Sequence, residues 1–245
     1  MLATPDTLPA GLGPDDLLCP TVPGRYRAAT LDGYIPATPT QTEALCAARD
    51  VAERLTGEPR RRASLVLLGT PGVGKSHLAA AVCHAVTASL IVPWRVDANA
   101  ANAEFDALLA CLSGSTWNDR PTIRRVPRPI LPEWVNVPSL VVDVKAEMSL
   151  PADDQARTTF ARSLRQLRTL VVLDDLGRER ISEWTGELLY VVVNDRYEAG
   201  LPTIATSNLT IEELVASGYW PAISRLAEDG RLVEIKAPDH RLGKR

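Results

Sequence analysis

The stretch that decides the fold is Ser64-Leu-Val-Leu-Leu-Gly69-Thr-Pro-Gly-Val-Gly74-Lys75-Ser76-His77. Ser64–Leu68 is a short apolar run that reads as a strand leading straight into Gly69. From Lys75 to about Thr87 the chain is rich in alanine and reads as a helix. Between them Gly69, Thr70, Pro71, Gly72, Val73, Gly74, Lys75 and Ser76 fit G-x-x-x-x-G-K-[ST] in full. The glycines let the backbone wrap tightly, so that successive N–H groups point at phosphate oxygens. The helix that starts here adds the positive end of its dipole. Lys75 is placed to reach the β- and γ-phosphates and the Ser76 hydroxyl to hold Mg²⁺; His77 is counted with the loop. The implied ligand is ATP with Mg²⁺.

Working outward, Thr169–Leu173 reads as a buried strand ending in Asp174 and Asp175. A carboxylate at the C-terminal edge of such a strand lies where ligands collect in open α/β sheets. Asp174 is expected to hold Mg²⁺, through water, since Mg²⁺ keeps several of its waters. Asp175 is a candidate to orient or deprotonate an attacking water. A third strand, Thr203–Thr206, leads to Asn208, whose amide is suited either to the attacking water or γ-phosphate, or to a turn or helix cap before Thr210.

The remaining elements alternate. Thr40-Gln-Thr-Glu43 has the form of a capping box opening a helix to Thr56, with Gly57 as its stop. Helices are expected near Ala103–Leu112, Pro151–Leu167, Ser182–Glu198, Thr210–Ser217 and Pro221–Glu228, and a last strand at Leu232–Ile235. This alternation is the pattern of an α/β fold with a mostly parallel central sheet flanked by helices, of the P-loop NTPase kind. No C-terminal lid domain is evident.

Composition narrows the function classes. The 245 residues are 45% hydrophobic and 23% charged, which excludes a mostly disordered chain. The net charge of −3 advertises no general affinity for nucleic acid, so DNA contact has to come from local patches. Residues 1–22 carry Asp6, Asp15 and Asp16 and no Lys or Arg. Cys19, Cys46, Cys83 and Cys111 are widely spaced, which fits a reducing compartment better than a disulfide scaffold. With no secretory signal pattern and no long apolar run, a cytoplasmic, membrane-free protein is expected.

Taken in order, Leu173-Asp174-Asp175-Leu176-Gly177, Glu183-Trp184, Asn194-Asp-Arg196-Tyr197, Pro202-Thr-Ile-Ala-Thr-Ser-Asn208-Leu209 and Ser224-Arg225-Leu226 resemble the DnaC/DnaI-type helicase loaders and the IstB transposition ATPases, which are AAA+ proteins. Val22-Pro-Gly-Arg25-Tyr26 and Leu31-Asp-Gly-Tyr34 resemble the lead-in to that domain. The resemblance implies that Asn208 stands at the sensor-1 position. It also implies that Arg225 stands at the arginine-finger position, acting in trans on a neighbour's ATP, and Arg241 where loaders place a second phosphate-sensing arginine. It implies self-association, a DNA-replication role, and as partners a replicative helicase and single-stranded DNA, or duplex DNA and a transposase for the IstB alternative. Residues 1–21 are read as a short flexible N-terminal arm, where loaders usually carry a helicase-binding domain, and 22–245 as the ATPase domain. Within it, 95–132 reads as an insertion ahead of a strand near Trp134–Val137. Arg120, Arg124, Arg125 and Arg128, with Trp117 and Trp134 nearby, suit either a nucleic-acid backbone and stacked bases or a solvated face and a small satellite core; the Arg60–Arg62 run suits a solvated loop better than a DNA contact. Two rivals are a small-molecule P-loop kinase and a nucleotide switch with little hydrolysis, the latter because Asp175 stands where many AAA+ proteins have Glu.

Overall fold

Five parallel strands build the centre of the molecule, and the three inner ones are almost wholly buried. A computed structural model describes residues 12–57, 63–111, 129–148, 164–165, 167–228 and 230–240, the side chains of 101–102 and 104–111 excepted. The elements are α1 (Pro39–Thr56), β1 (Ser64–Gly69), α2 (Lys75–Cys111), β2 (Glu133–Asn136), α3 (Val137–Met148), β3 (Val171–Leu176), α4 (Glu183–Glu198), β4 (Thr203–Ser207), α5 (Ile211–Ala216), α6 (Trp220–Glu228) and β5 (Gly230–Ile235). The sheet order is β2-β3-β4-β1-β5, parallel throughout.

In β1, Leu65 and Leu67 face one layer and Val66 and Leu68 the other. The first layer holds α1 and α2, and the second holds α3, α4 and α6. A strand covered on both faces loses the polar alternation of an exposed sheet. All strand C-termini meet at one edge, and β4 sits between β1 and β3, although it follows both in sequence.

Several boundaries differ from the sequence expectation. Helix α1 starts at Pro39 and is capped by Thr38, whose Oγ1 accepts from Gln41 N at 3.3 Å. Proline's fixed φ and missing N–H suit the first helical position, which moves the cap two residues ahead of Thr40. Thr40 Oγ1 instead bonds Lys236, donating to its O (3.1 Å) and accepting from its N (3.0 Å). Helix α2 does not stop near Thr87 but runs on through Pro93 to Cys111, joining the expected helix at 103. The alanines between outweigh one lost helix bond. The first part of the expected insertion therefore continues α2, while its arginines at 120, 124, 125 and 128 lie outside the described residues, as do Arg60–Arg62 and most of the expected helix 151–167. Helix α3 follows β2 directly and was not expected.

Lys75–Ala100 also has the length and hydropathy of a membrane-crossing helix, which polar His77, His84 and Thr87 conceal in a simple run count. Its first turns are core, with Leu78, Ala79, Val82 and Cys83 fully buried. Residues 12–21 rest on the same helix. Cys19 is buried, its N donates to His84 Nδ1 (3.0 Å), and Thr21 Oγ1 accepts from Trp134 N (2.9 Å). This part of the N-terminal stretch is therefore held in place.

The other ends of β3 and β4 are fixed by one side chain. Arg196, on α4 and fully buried, donates through Nε to Thr203 Oγ1 (2.9 Å), through Nη1 to the carbonyls of Leu164 (2.7 Å) and Leu167 (3.0 Å), and through Nη2 to those of Thr169 (2.7 Å) and Pro202 (2.8 Å). All five guanidinium N–H groups are used. Burial pushes its pKa down to about 10, which leaves it charged at neutral pH. Arg196→Met keeps the length and removes the donors. Urea unfolding is expected to show a loss of about 3 kcal/mol or more, and a loss below about 1 kcal/mol would mean the acceptors find other partners.

Candidate nucleotide site

The phosphate loop joins β1 to α2 at the shared C-terminal edge. Gly72 and Gly74 have φ of 80° and 106°, a region open to glycine at little cost. Lys75 is only 5% exposed. Its Nζ donates to Gly69 O (2.6 Å), Thr70 O (2.9 Å) and Asn208 Oδ1 (2.8 Å). The ammonium is thus held at the mouth of the loop by the loop's own carbonyls and by the tip of β4.

The paired aspartates do not end β3, as the sequence suggests; the strand continues to Leu176. Leu173 pairs with Ala205 and Leu176 with Ser207, so two residues of β3 face the single Thr206 of β4. This is a β-bulge at Asp174–Asp175. Thr206 Oγ1 fills it, donating to Asp174 Oδ1 (2.6 Å) and accepting from Asp175 N (3.1 Å). Asp174 is 1% exposed. Burial raises its pKa, opposed by the hydrogen bonds from Thr206 and Ser76. Ser76 Oγ donates to the same Oδ1 at 2.8 Å. A hydroxyl and a carboxylate oxygen in contact at the foot of a phosphate loop are a donor set suited to Mg²⁺, and the residues fit that ion.

Asp175 adopts φ 62°, the one non-glycine residue at positive φ among those described. Its Oδ2 accepts from Arg178 Nη1 at 3.1 Å. Asp175, Asn208, Lys75, Ser76 and His77 all line one cavity of about 350 Å³ with the loop residues Pro71 to Gly74. The His77 ring lies 5.6 Å from that of Tyr34, and burial lowers its pKa. Gly69 and Thr70 border a second cavity beyond Asn208.

Arg225 is not brought to this cavity. It sits on α6 with its guanidinium 5.7 Å from the Tyr190 ring centre and 5.3 Å from that of Tyr197, and Nη2 donates to Tyr190 Oη (3.1 Å). That bond raises its pKa. Arg241 lies outside the described residues. The segment before it crosses the loop, where His240 N donates to Gly72 O (3.2 Å) and a side chain on Gly72 would run into the Asp239 carboxylate.

Sequence reasoning left several lining residues unassigned: Arg25, Tyr26, Tyr34, Gln41, Arg178 and His240. Tyr34 Oη and Gln41 Nε2 both donate to Val73 O, at 3.1 and 3.2 Å. Arg25, Tyr26 and Tyr34 stand in the lead-in motif, which is the signal available for them.

No protein-family model and no curated protein matches the sequence. Solved structures do. The chain superposes on a crystal structure of the DnaC helicase loader with a TM-score of 0.61 and 25% identity, over 87% of this chain and all of that one. For DnaI the values are 0.59 and 18%, over 89% and 94% of the two chains. For domain III of the Thermotoga maritima replication initiation protein DnaA they are 0.56 and 17%, over 90% and 70%. With its 2-3-4-1-5 parallel sheet and complete phosphate loop, the chain has the AAA+ P-loop ATPase fold, of the type found in the DnaC helicase loader.

Proposed function

We propose that this chain is an oligomeric, Mg²⁺-dependent ATPase that serves DNA replication as a helicase loader, acting in the cytoplasm on single-stranded DNA and a replicative helicase. The observation that carries the ATPase part is the pair of contacts closing the site. Lys75 reaches Asn208, and Ser76 reaches Asp174, so three motifs far apart in sequence share one cavity. The likeness to the DnaC loader over nearly the whole of both chains supports the replication part.

In this reading the loop N–H groups and Lys75 bind the phosphates of ATP. Ser76 and Asp174 hold Mg²⁺, which when bound draws charge off the phosphate oxygens. Asp175 orients water at the γ-phosphate and Asn208 positions that phosphate. Arg225, turned away from its own cavity, is the group to serve a neighbouring subunit, where a cation stabilises the charge of the transferring phosphoryl group.

Lys75→Ala is expected to weaken binding of a fluorescent ATP analogue about tenfold or more; an unchanged affinity removes the phosphate-site assignment. Arg225→Ala is expected to bind the analogue normally and to lose steady-state hydrolysis. Mixing it with Lys75→Ala protein is expected to restore turnover, and no rescue at assembling concentrations counts against action in trans. Anisotropy of labelled DNA tests the loader role. Preference for single strands that needs ATP and Mg²⁺ is the expected result. Coating of duplex points to the IstB-like transposition regulator, and binding to neither form leaves a protein-only partner.

A further inference from the structure

The turn that follows Asp175 is built around a buried carboxylate that the ATPase reading does not use. Glu179 is 8% exposed. Both its oxygens accept from Gly177 N at 3.1 Å, and Oε1 also accepts from Tyr219 Oη at 2.6 Å. Tyr219 is fully buried, and its Oη lies 3.2 Å from Thr185 Oγ1 in the first turn of α4. Burial, and then the carboxylate beside it, raise the phenol's pKa, so the proton stays on the phenol oxygen.

Burying a carboxylate costs several kcal/mol in typical proteins, and here it is spent on one backbone N–H and one phenol. The turn so fixed is that of Asp175, whose φ of 62° is a strained choice for a residue with a side chain. Left-handed residues of this kind persist where their surroundings over-determine them. Three bonds do so here. Thr206 Oγ1 holds the N–H of Asp175, Arg178 N closes onto Asp175 O at 3.2 Å, and Glu179 holds the next N–H but one.

We propose that Glu179 is a positioning residue for Asp175: through Gly177 N–H it sets the turn that aims the Asp175 carboxylate into the nucleotide cavity, and Tyr219 fixes Glu179 in place. The proposal rests on the reading of Asp175 as the water-orienting group. Tyr219 immediately precedes α6, and its carbonyl accepts from Ile223 N within that helix (3.1 Å). Tyr219 thereby joins the start of α6, which carries Arg225, to the turn of Asp175.

The test compares the full-length Glu179→Ala, Glu179→Gln and Tyr219→Phe proteins with wild type. Glu179→Ala is expected to lower kcat for ATP about tenfold or more, with KM within about threefold. Glu179→Gln keeps an oxygen for Gly177 N–H and is expected to stay within about threefold of wild type. Tyr219→Phe is expected between the two. Tryptic cleavage after Arg178 or Arg180 is expected to be faster in Glu179→Ala than in wild type. A folded Glu179→Ala protein with the kcat and cleavage rate of wild type overturns the proposal. So does a loss that appears equally in melting temperature and KM and is not rescued by Gln, which marks a merely structural residue. If Glu179→Ala does not fold, Tyr219→Phe decides, and an unchanged kcat overturns the proposal. If wild type itself hydrolyses no ATP, the ATPase reading fails by that result, and the cleavage rates still decide whether Glu179 sets the turn.

Discussion

The guanidinium of Arg196 ties the start of β3 to the start of β4, and the geometry of the far edge follows from it. The carbonyls of Thr169 and Pro202 share its Nη2, and Thr203 takes its Nε. With the starts fixed, Val171 pairs with Thr203. At the far end Ser207 Oγ donates to Leu176 O at 2.7 Å, and that pairing is fixed as well. Between these two clamps β3 has one residue more than β4. The surplus has to leave the ladder, and it does so at Asp174–Asp175. The bulge that re-aims the second carboxylate is thus the remainder of a register set from both ends.

Strand order completes the site. Because β4 lies between β1 and β3, its tip stands between the phosphate loop and the aspartates. Thr206 points into the bulge and Asn208 reaches Lys75. Two polar side chains of one strand end, two residues apart, thereby connect a loop and an acid pair that are not adjacent in the sheet. Asp174 sits in nearly dry surroundings, where an unpaired carboxylate is costly. Two hydroxyls on one of its oxygens offset that cost and hold it still.

How much of this was legible in the sequence depends on how local each cause is. The phosphate loop, the apolar strands around it and the acid pair are local signals, and they sit where the sequence places them within a few residues. The continuation of α2 past Pro93 was hidden because a proline outweighs alanines in any short window. Helix α3 was hidden because Val137-Pro138 follows β2 without a turn. Arg196 stands in one of the motifs that carry the resemblance but with no role attached, and only the fold reveals that its whole donor set is buried. The bulge could not be read at all, since it arises from a count of residues between two clamps on different elements. Glu179 and Tyr219 meet across forty residues of sequence for the same kind of reason.

A phosphate loop that turns its N–H groups inward leaves its carbonyls facing the other way, and those carbonyls need donors whether or not a nucleotide is bound. The donors come from separate parts of the chain. Tyr34 and Gln41 serve Val73, and His240 serves Gly72. The lead-in before α1 and the segment after β5 are therefore part of the loop's scaffold, though neither belongs to the central sheet. Gly74 shows how close the support comes. A side chain there would strike the Tyr34 ring. The glycine is required there by the tyrosine ring as well as by its φ of 106°. These contacts fix the loop's backbone, and a backbone already fixed loses little further freedom when it takes up an anion.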